Sequence, residues 1–190
     1  MSDLTLTGLC GALRAGSTNR VLMRYAAERF GPASFTEGDL RLPLYDGDIE
    51  TNEGIPEAVE RLATQIREAD AVIIACPEYN KGVSGVIKNA FDWLSRVKPA
   101  VWAGKPVAIM SATAGRSGGE RSQYALRLCL NAFQPVVLPG PEVLVANSSQ
   151  AFDAEGRPKD DATVKLVDAL MENLRAETLR RRIDAGRAAA

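Results

Sequence analysis

Short apolar runs alternate with stretches of helical spacing along the whole chain, the pattern of an α/β fold built on a parallel sheet. Five strands are predicted. Leu4–Cys10 is the first, Ala33–Leu40 a weaker second, and Ala71–Cys76 the third, unbroken by charge as a strand covered on both faces should be. Val107–Met110 is the fourth. The fifth reads as a broken strand, with Val136–Leu138 and Val143–Val145 separated by Pro139-Gly140-Pro141. Between these runs, apolar positions recur at helical spacing over Leu22, Tyr25, Ala26 and Phe30, and again over Ile55, Val59, Leu62, Ala63 and Ile66. Val86, Ile87, Ala90, Phe91 and Leu94 mark a third helix, Ala125, Leu128, Cys129 and Ala132 a fourth, and Val164, Val167, Leu170, Met171 and Leu174 the last. From Arg175 to Ala190 the chain turns basic and then Ala-rich, and is read as the frayed, solvated end of that helix.

Composition narrows the chemistry. A chain of 190 residues that is 46% hydrophobic is long enough for one full core, so residues 1–190 are expected to form a single domain with a basic, Ala-rich tail over about 176–190. With 23 Lys and Arg against 24 Asp and Glu the net charge is -1, so no nucleic-acid or membrane partner is expected. The chain has 0 histidines, which excludes Ser-His-Asp hydrolysis, Cys-His proteolysis and most catalytic zinc sites. Cys10, Cys76 and Cys129 form no CxxC pair and read as reduced core thiols. No secretory leader or membrane-spanning run is recognisable in the sequence, and cytoplasmic residence is expected.

In an open parallel sheet, ligands bind outside the carboxyl ends of the strands, so the loops leaving the strands are where chemistry is sought. The first, Gly11-Ala12-Leu13-Arg14-Ala15-Gly16-Ser17-Thr18-Asn19-Arg20, runs straight into a helical pattern. Its glycines allow close backbone approach, Ser17, Thr18 and Asn19 offer short polar groups, and Arg14 and Arg20 add charge at a helix N-terminus, which together suit an anion. The plainer reading is an N-cap at Ser17 or Thr18 with solvated arginines. A Walker A loop would need Lys after Gly16, and a phosphatase loop would need Arg at position 16; neither is present, and GxGxxG is absent. The loop after the third strand, Pro77 to Gly85, and the one after the fourth, Ser111 to Gly119, are rich in Gly and small polar residues, with no carboxylate cluster for a metal or for glycosidase chemistry. A flat polar heterocycle with a phosphate tail fits the three loops together. Tyr79 could flank such a ring or anchor its loop, and Glu78 could contribute or remain a solvated acid.

These residues carry a resemblance. Pro77-Glu78-Tyr79-Asn80 through Gly85, with Lys88-Asn89-Ala90 and Asp92-Trp93, is similar to the PEYN-x-x-x-x-G-x-x-KNA-x-DW signature of the NAD(P)H-dependent FMN reductases, which include bacterial quinone and chromate reductases. Lys105-Pro106-Val107, Gly115-x-x-Gly118-Gly119 with Tyr124-x-x-Arg127, Leu42-Pro43-Leu44-Tyr45-Asp46 and Phe152-Asp153-x-x-Gly156 also resemble that family. The first loop resembles G-S-L-R-x-x-S-x-N, with Ala12 in place of the Ser and one hydroxyl donor fewer.

The resemblance implies a flavodoxin-like three-layer sandwich with a five-stranded parallel sheet in the order 2-1-3-4-5. It also implies FMN as cofactor, with NADPH or NADH as reductant and a quinone or similar small molecule as electron acceptor. Leu13, Arg14, Ser17, Thr18 and Asn19 would surround the phosphate. Pro77, Glu78, Tyr79, Asn80, Lys81 and Gly82, with Ser111, Ala112, Thr113 and Gly115, would surround the ring and ribityl chain. No side chain is expected to act as a catalytic acid or base, because hydride chemistry belongs to the cofactor. Arg116 is the candidate contact for a 2′-phosphate. A homodimer or homotetramer is implied, with Arg121, Tyr124 and Glu142 as interface candidates. A flavodoxin-type electron carrier and a flavin-binding regulatory protein are the alternatives, the first disfavoured by near-neutral charge.

Overall fold

The computed structural model describes residues 4–188, with side chains through residue 185. Met1 to Asp3, and the last two residues of the Ala-rich end, lie outside the described residues. In chain order the elements are β1 (Leu4–Cys10), α1 (Thr18–Arg29), β2 (Ala33–Gly38), α2 (Gly47–Glu53), α3 (Glu57–Glu68), β3 (Ala71–Ala75), β4 (Glu78–Tyr79), β5 (Gly82–Val83), α4 (Gly85–Leu94), β6 (Pro106–Ala112), α5 (Glu120–Asn131), β7 (Val136–Val137), β8 (Val143–Val145) and α6 (Asp161–Ala188). The main sheet is parallel in the order β2-β1-β3-β6-β7. This is the expected 2-1-3-4-5 arrangement, with the fifth position filled in two pieces: β7 pairs with the start of β6 (Pro106↔Val136) and β8 with its end (Met110↔Val143).

Strand alternation assigns each side chain to a layer. In β3 every residue is buried; Ala71, Ile73 and Ala75 join Leu22, Met23 and Ala26 of α1 and Val167, Leu170 and Leu174 of α6, while Val72 and Ile74 join Val59, Leu62 and Ile66 of α3 and Ile87 and Phe91 of α4. Two hydrophobic layers therefore sandwich the sheet. β2 is the edge strand, and its alternating half-exposed pattern accounts for its weak apolar signal.

The stretch read as the loop after the third strand folds into the β4–β5 hairpin, and two further elements depart from expectation. A short helix, α2, occupies residues to which the sequence pattern assigned no element; it buries no side chain, and Asp46 caps it by accepting from Asp48 N–H at 2.9 Å. The last helix does not fray after Leu174 but continues through Ala188, because its second half is docked. Arg175 lies 5.4 Å from the Phe30 ring centroid and donates to the carbonyls of Phe30 and Pro32, Thr178 is buried, and Arg182 pairs with Asp70 at 3.2 Å.

Candidate active site

The carboxyl ends of β1, β3 and β6 end side by side, and their loops are tied to each other. Gly11 N–H donates to Ala75 O at 2.8 Å, and Cys76 N–H to Met110 O at 3.0 Å. Gly11 has no room for a side chain: a Cβ there would sit 2.8 Å from Ser84 Oγ and 2.9 Å from the Pro77 ring. Between the loops lies a cleft of about 380 Å³, within the range of cofactor sites.

Ten of the expected residues line the cleft: Arg14, Ser17, Thr18, Asn19, Pro77, Glu78, Tyr79, Ala112, Thr113 and Gly115. Leu13 turns toward the α3–α4 side of the core, Ser111 is buried beneath the cleft, and Asn80, Lys81 and Gly82 form the hairpin tip beyond Tyr79; none of these five lines it. Ala12, Ala114, Ser117, Ser148 and Ser149 line it without having been expected. The two serines follow β8, and the strand-end rule that singled out the other loops applies to theirs as well.

Several of these residues act on the protein itself. Ser17 is the N-cap of α1, its Oγ accepting from Arg20 N–H at 3.4 Å, so the plainer reading holds for that hydroxyl. Asn19 is buried and clamps the end of β6: Nδ2 donates to Ala112 O at 2.7 Å and Oδ1 accepts from Ala112 N–H at 3.0 Å. Strand β3 has ended before it can pair with Ala112, and the Asn19 amide takes its place in the ladder. Arg20 is not solvated; it donates to the Ala12 and Arg14 carbonyls and pairs with Glu37. Glu78 accepts from Arg121 N–H at 3.2 Å, fixing the β4–β5 hairpin to the first turn of α5.

Beneath the third loop, Gln123 Nε2 donates to Ser111 Oγ at 2.9 Å and to Val143 O at 2.9 Å, and Ser111 Oγ donates to Gly118 O at 2.6 Å. Cys76 lies under the second loop, where burial pushes its thiol up to about 11 and keeps it neutral. Among the described residues no group of His, Cys, Asp or Glu could hold a metal ion, and no helix is long and apolar enough to cross a membrane.

The cleft fits a phosphate-bearing flavin. Helices α2, α3, α5 and α6 each carry an acid in the first turn, whereas α1, like α4, has none, so its positive end is not offset by its own side chains. Among the described residues the Thr18 and Asn19 N–H groups of that turn have no acceptor, and the exposed Arg14 guanidinium has no hydrogen-bond or ion-pair partner. Tyr79, 49% exposed, stands across from Thr113, Ala114 and Gly115 and offers a flat apolar surface.

The model of the NADPH-dependent FMN reductases matches residues 4–150. The chain belongs to that family. An NAD(P)H-dependent FMN reductase of Pseudomonas aeruginosa is 41% identical over 174 residues, spanning 90% of this chain and 94% of its own length. A quinone reductase of Escherichia coli is 44% identical over 145 residues, 74% of this chain and 77% of that one. Among solved structures, the flavoenzyme NAD(P)H:(acceptor) oxidoreductase FerB of Paracoccus denitrificans superposes with a TM-score of 0.80 at 30% identity, covering 93% of this chain and 98% of that chain. Family membership makes the protein a flavodoxin-like oxidoreductase that uses FMN with NAD(P)H.

Proposed function

We propose that the chain, as one FMN-binding domain, passes hydride equivalents from NAD(P)H to a quinone or similar small acceptor, in two half-reactions that share one open cleft. The observation that carries this reading is the opposition, across about 380 Å³, of an anion-seeking helix end with an unpaired arginine and an exposed tyrosine beside small polar loops. Quinone reductases among its relatives support the acceptor class.

Bound FMN would supply the hydride-accepting and hydride-donating ring. The protein does the positioning. Arg14, Thr18 and the first-turn N–H groups of α1 hold the phosphate, and Ser17 and Asn19 hold the shape of that loop. Pro77 to Tyr79 and Thr113 to Gly115 flank the ring and ribityl chain. Backbone N–H groups of Asn80 to Gly82 are assigned to the polar edge of the ring, where they stabilise the negative charge that builds on reduction. Leu13 supports the phosphate loop through its apolar packing, and Ser111 supports the third loop through Gly118.

We assign the protein to the cytoplasm, as a homodimer or homotetramer. Tyr124 and Leu128, one turn apart on α5 and 51% and 72% exposed, support self-association. Shared use of one cleft requires that the oxidised nucleotide leave before the acceptor enters. Initial rates at varied NADPH and benzoquinone should give parallel double-reciprocal lines, and intersecting lines would show both bound at once.

A further inference from the structure

Among the described residues, two buried side-chain nitrogen or oxygen atoms have no hydrogen-bond partner: Trp102 Nε1 and Gln123 Oε1. Trp102 packs in an aromatic cluster with Phe91 and Phe133. Gln123 is 0% exposed and lies beneath the loop after β6. A buried acceptor without a donor destabilises a fold, and a methionine of similar length would avoid it. The compensation is at the other end of the amide, where Nε2 donates to Val143 O and to Ser111 Oγ, each at 2.9 Å. A carbonyl only accepts, so the amide cannot be turned over without setting Oε1 against Val143 O. Ser111 Oγ is therefore the acceptor toward Gln123, and its single proton is left for Gly118 O, 2.6 Å away.

That relay fixes one peptide. Gly118 O is drawn down onto the buried Ser111, and in a trans peptide the N–H points opposite to the carbonyl, so Gly119 N–H faces away from the core. The backbone alone does not hold it so: the peptide lies between two glycines, at φ +63° and +96°, and glycine turns with little steric resistance. The rest of the loop has the same polarity. Gly115 O accepts from Thr113 Oγ1 and Asn147 N–H, Ser117 O from Glu120 N–H, and Gly119 O from Ser122 Oγ. The N–H groups of Ala114, Gly115, Arg116, Ser117 and Gly119 have no acceptor among the described residues. Carbonyls tied down and N–H groups left free make a loop whose open side favours negative charge.

We propose that Gln123 is a positioning residue of the reductase: through Ser111 it holds the Gly118–Gly119 peptide with its N–H outward, and so strengthens binding of reduced FMN, the more negative form, over oxidised FMN. The inference rests on the flavin reading above. Gly115 and Ser117 line the cleft, and Ser117 adjoins this peptide, so a released peptide would turn a carbonyl dipole of the opposite sign toward the cleft. Gln123 itself does not line the cleft, and its effect reaches the cofactor through Ser111 and Gly118.

The test measures the midpoint potential of bound FMN against a reference dye in the full chain and its variants, beside urea unfolding of the same proteins without FMN. Gln123→Met keeps the length of the side chain while removing both N–H donors and the unpartnered oxygen. Its midpoint potential should be about 30 mV lower, the two-electron equivalent of a tenfold loss of affinity for reduced over oxidised FMN. Its urea midpoint should stay within about 0.5 M of the unaltered protein, because the lost bonds and the removed unpartnered acceptor offset each other. Ser111→Ala cuts the same relay one link on and should lower the potential equally, with no further fall in the double variant. Potentials within about 5 mV of the unaltered protein in both single variants would overturn the inference and leave Gln123 a purely structural residue. Additive shifts in the double variant would overturn the route through Ser111. An unaltered chain that binds no FMN would overturn the flavin reading and this inference with it.

Discussion

Replacing Asn19 by alanine removes both hydrogen bonds that complete the end of β6, the 2.7 Å bond to Ala112 O and the 3.0 Å bond from Ala112 N–H. Ala112 is 2% exposed, so its donor and acceptor would be left buried beside a cavity the size of an amide. An orphaned buried backbone group costs about 1–3 kcal/mol, and two of them, with some relief from water entering through the adjoining cleft, give about 2–4 kcal/mol. That is a large share of the stability of a typical domain. Urea unfolding followed by tryptophan fluorescence reads it: with a slope of about 2 kcal/mol per molar, the midpoint should fall by about 1–2 M. FMN affinity should fall with it, because the clamp ties the loop after β1 to the loop after β6, the two proposed to meet the cofactor. A midpoint shift under about 0.25 M with FMN binding unchanged would refute the assignment of Asn19 as the strut between the loops.

Arg14→Ala should show the opposite division: FMN affinity down about tenfold and unfolding free energy within about 0.5 kcal/mol, since the side chain is exposed and makes no hydrogen bond or ion pair among the described residues. Gly119→Ala forces a Cβ to 2.7 Å from Ser111 Cβ and Oγ at a backbone φ of +96°, and should cost about 1–3 kcal/mol in the same urea assay while loosening the loop that Ser111 holds. Cys76 predicts a pH dependence. Its thiol ionises near 8.5 in an unfolded chain and only at about 11 in the folded one, so the stability it contributes is complete below about pH 8.5 and is lost as pH rises through about 11. Cys76→Ala should therefore flatten the fall in unfolding free energy between those limits, and the native thiol should resist alkylation at pH 8.

The central strands were legible because burial on both faces leaves an unmistakable apolar run, as in Ala71–Ala75. The broken fifth strand was legible from its prolines. α2 was not, because a helix with no buried residue has no apolar period to read. The length of α6 was hidden for a related reason: beyond Leu174 its docking runs through Arg175, Thr178 and Arg182, polar residues whose partners, Phe30, Pro32 and Asp70, are remote in sequence.

At the site, loop positions were legible from the strand-end rule and the signature, but not the division of labour within them. Asn19 and Ser17 look like ligand donors in sequence, and only their long-range and capping bonds reveal that their side chains serve the scaffold. Ser148 and Ser149 were overlooked because the strand that delivers them, β8, is only three residues long and follows a break.

The most direct test is an anaerobic spectral titration of the protein loaded with FMN, first with NADPH and then with a quinone. Bound flavin bands that bleach with NADPH in equal stoichiometry and return on adding quinone are the expected result. A protein that fails to bind FMN, or whose flavin stays oxidised with excess NADPH and NADH alike, would contradict the assignment of this cleft as a nicotinamide-driven flavin site.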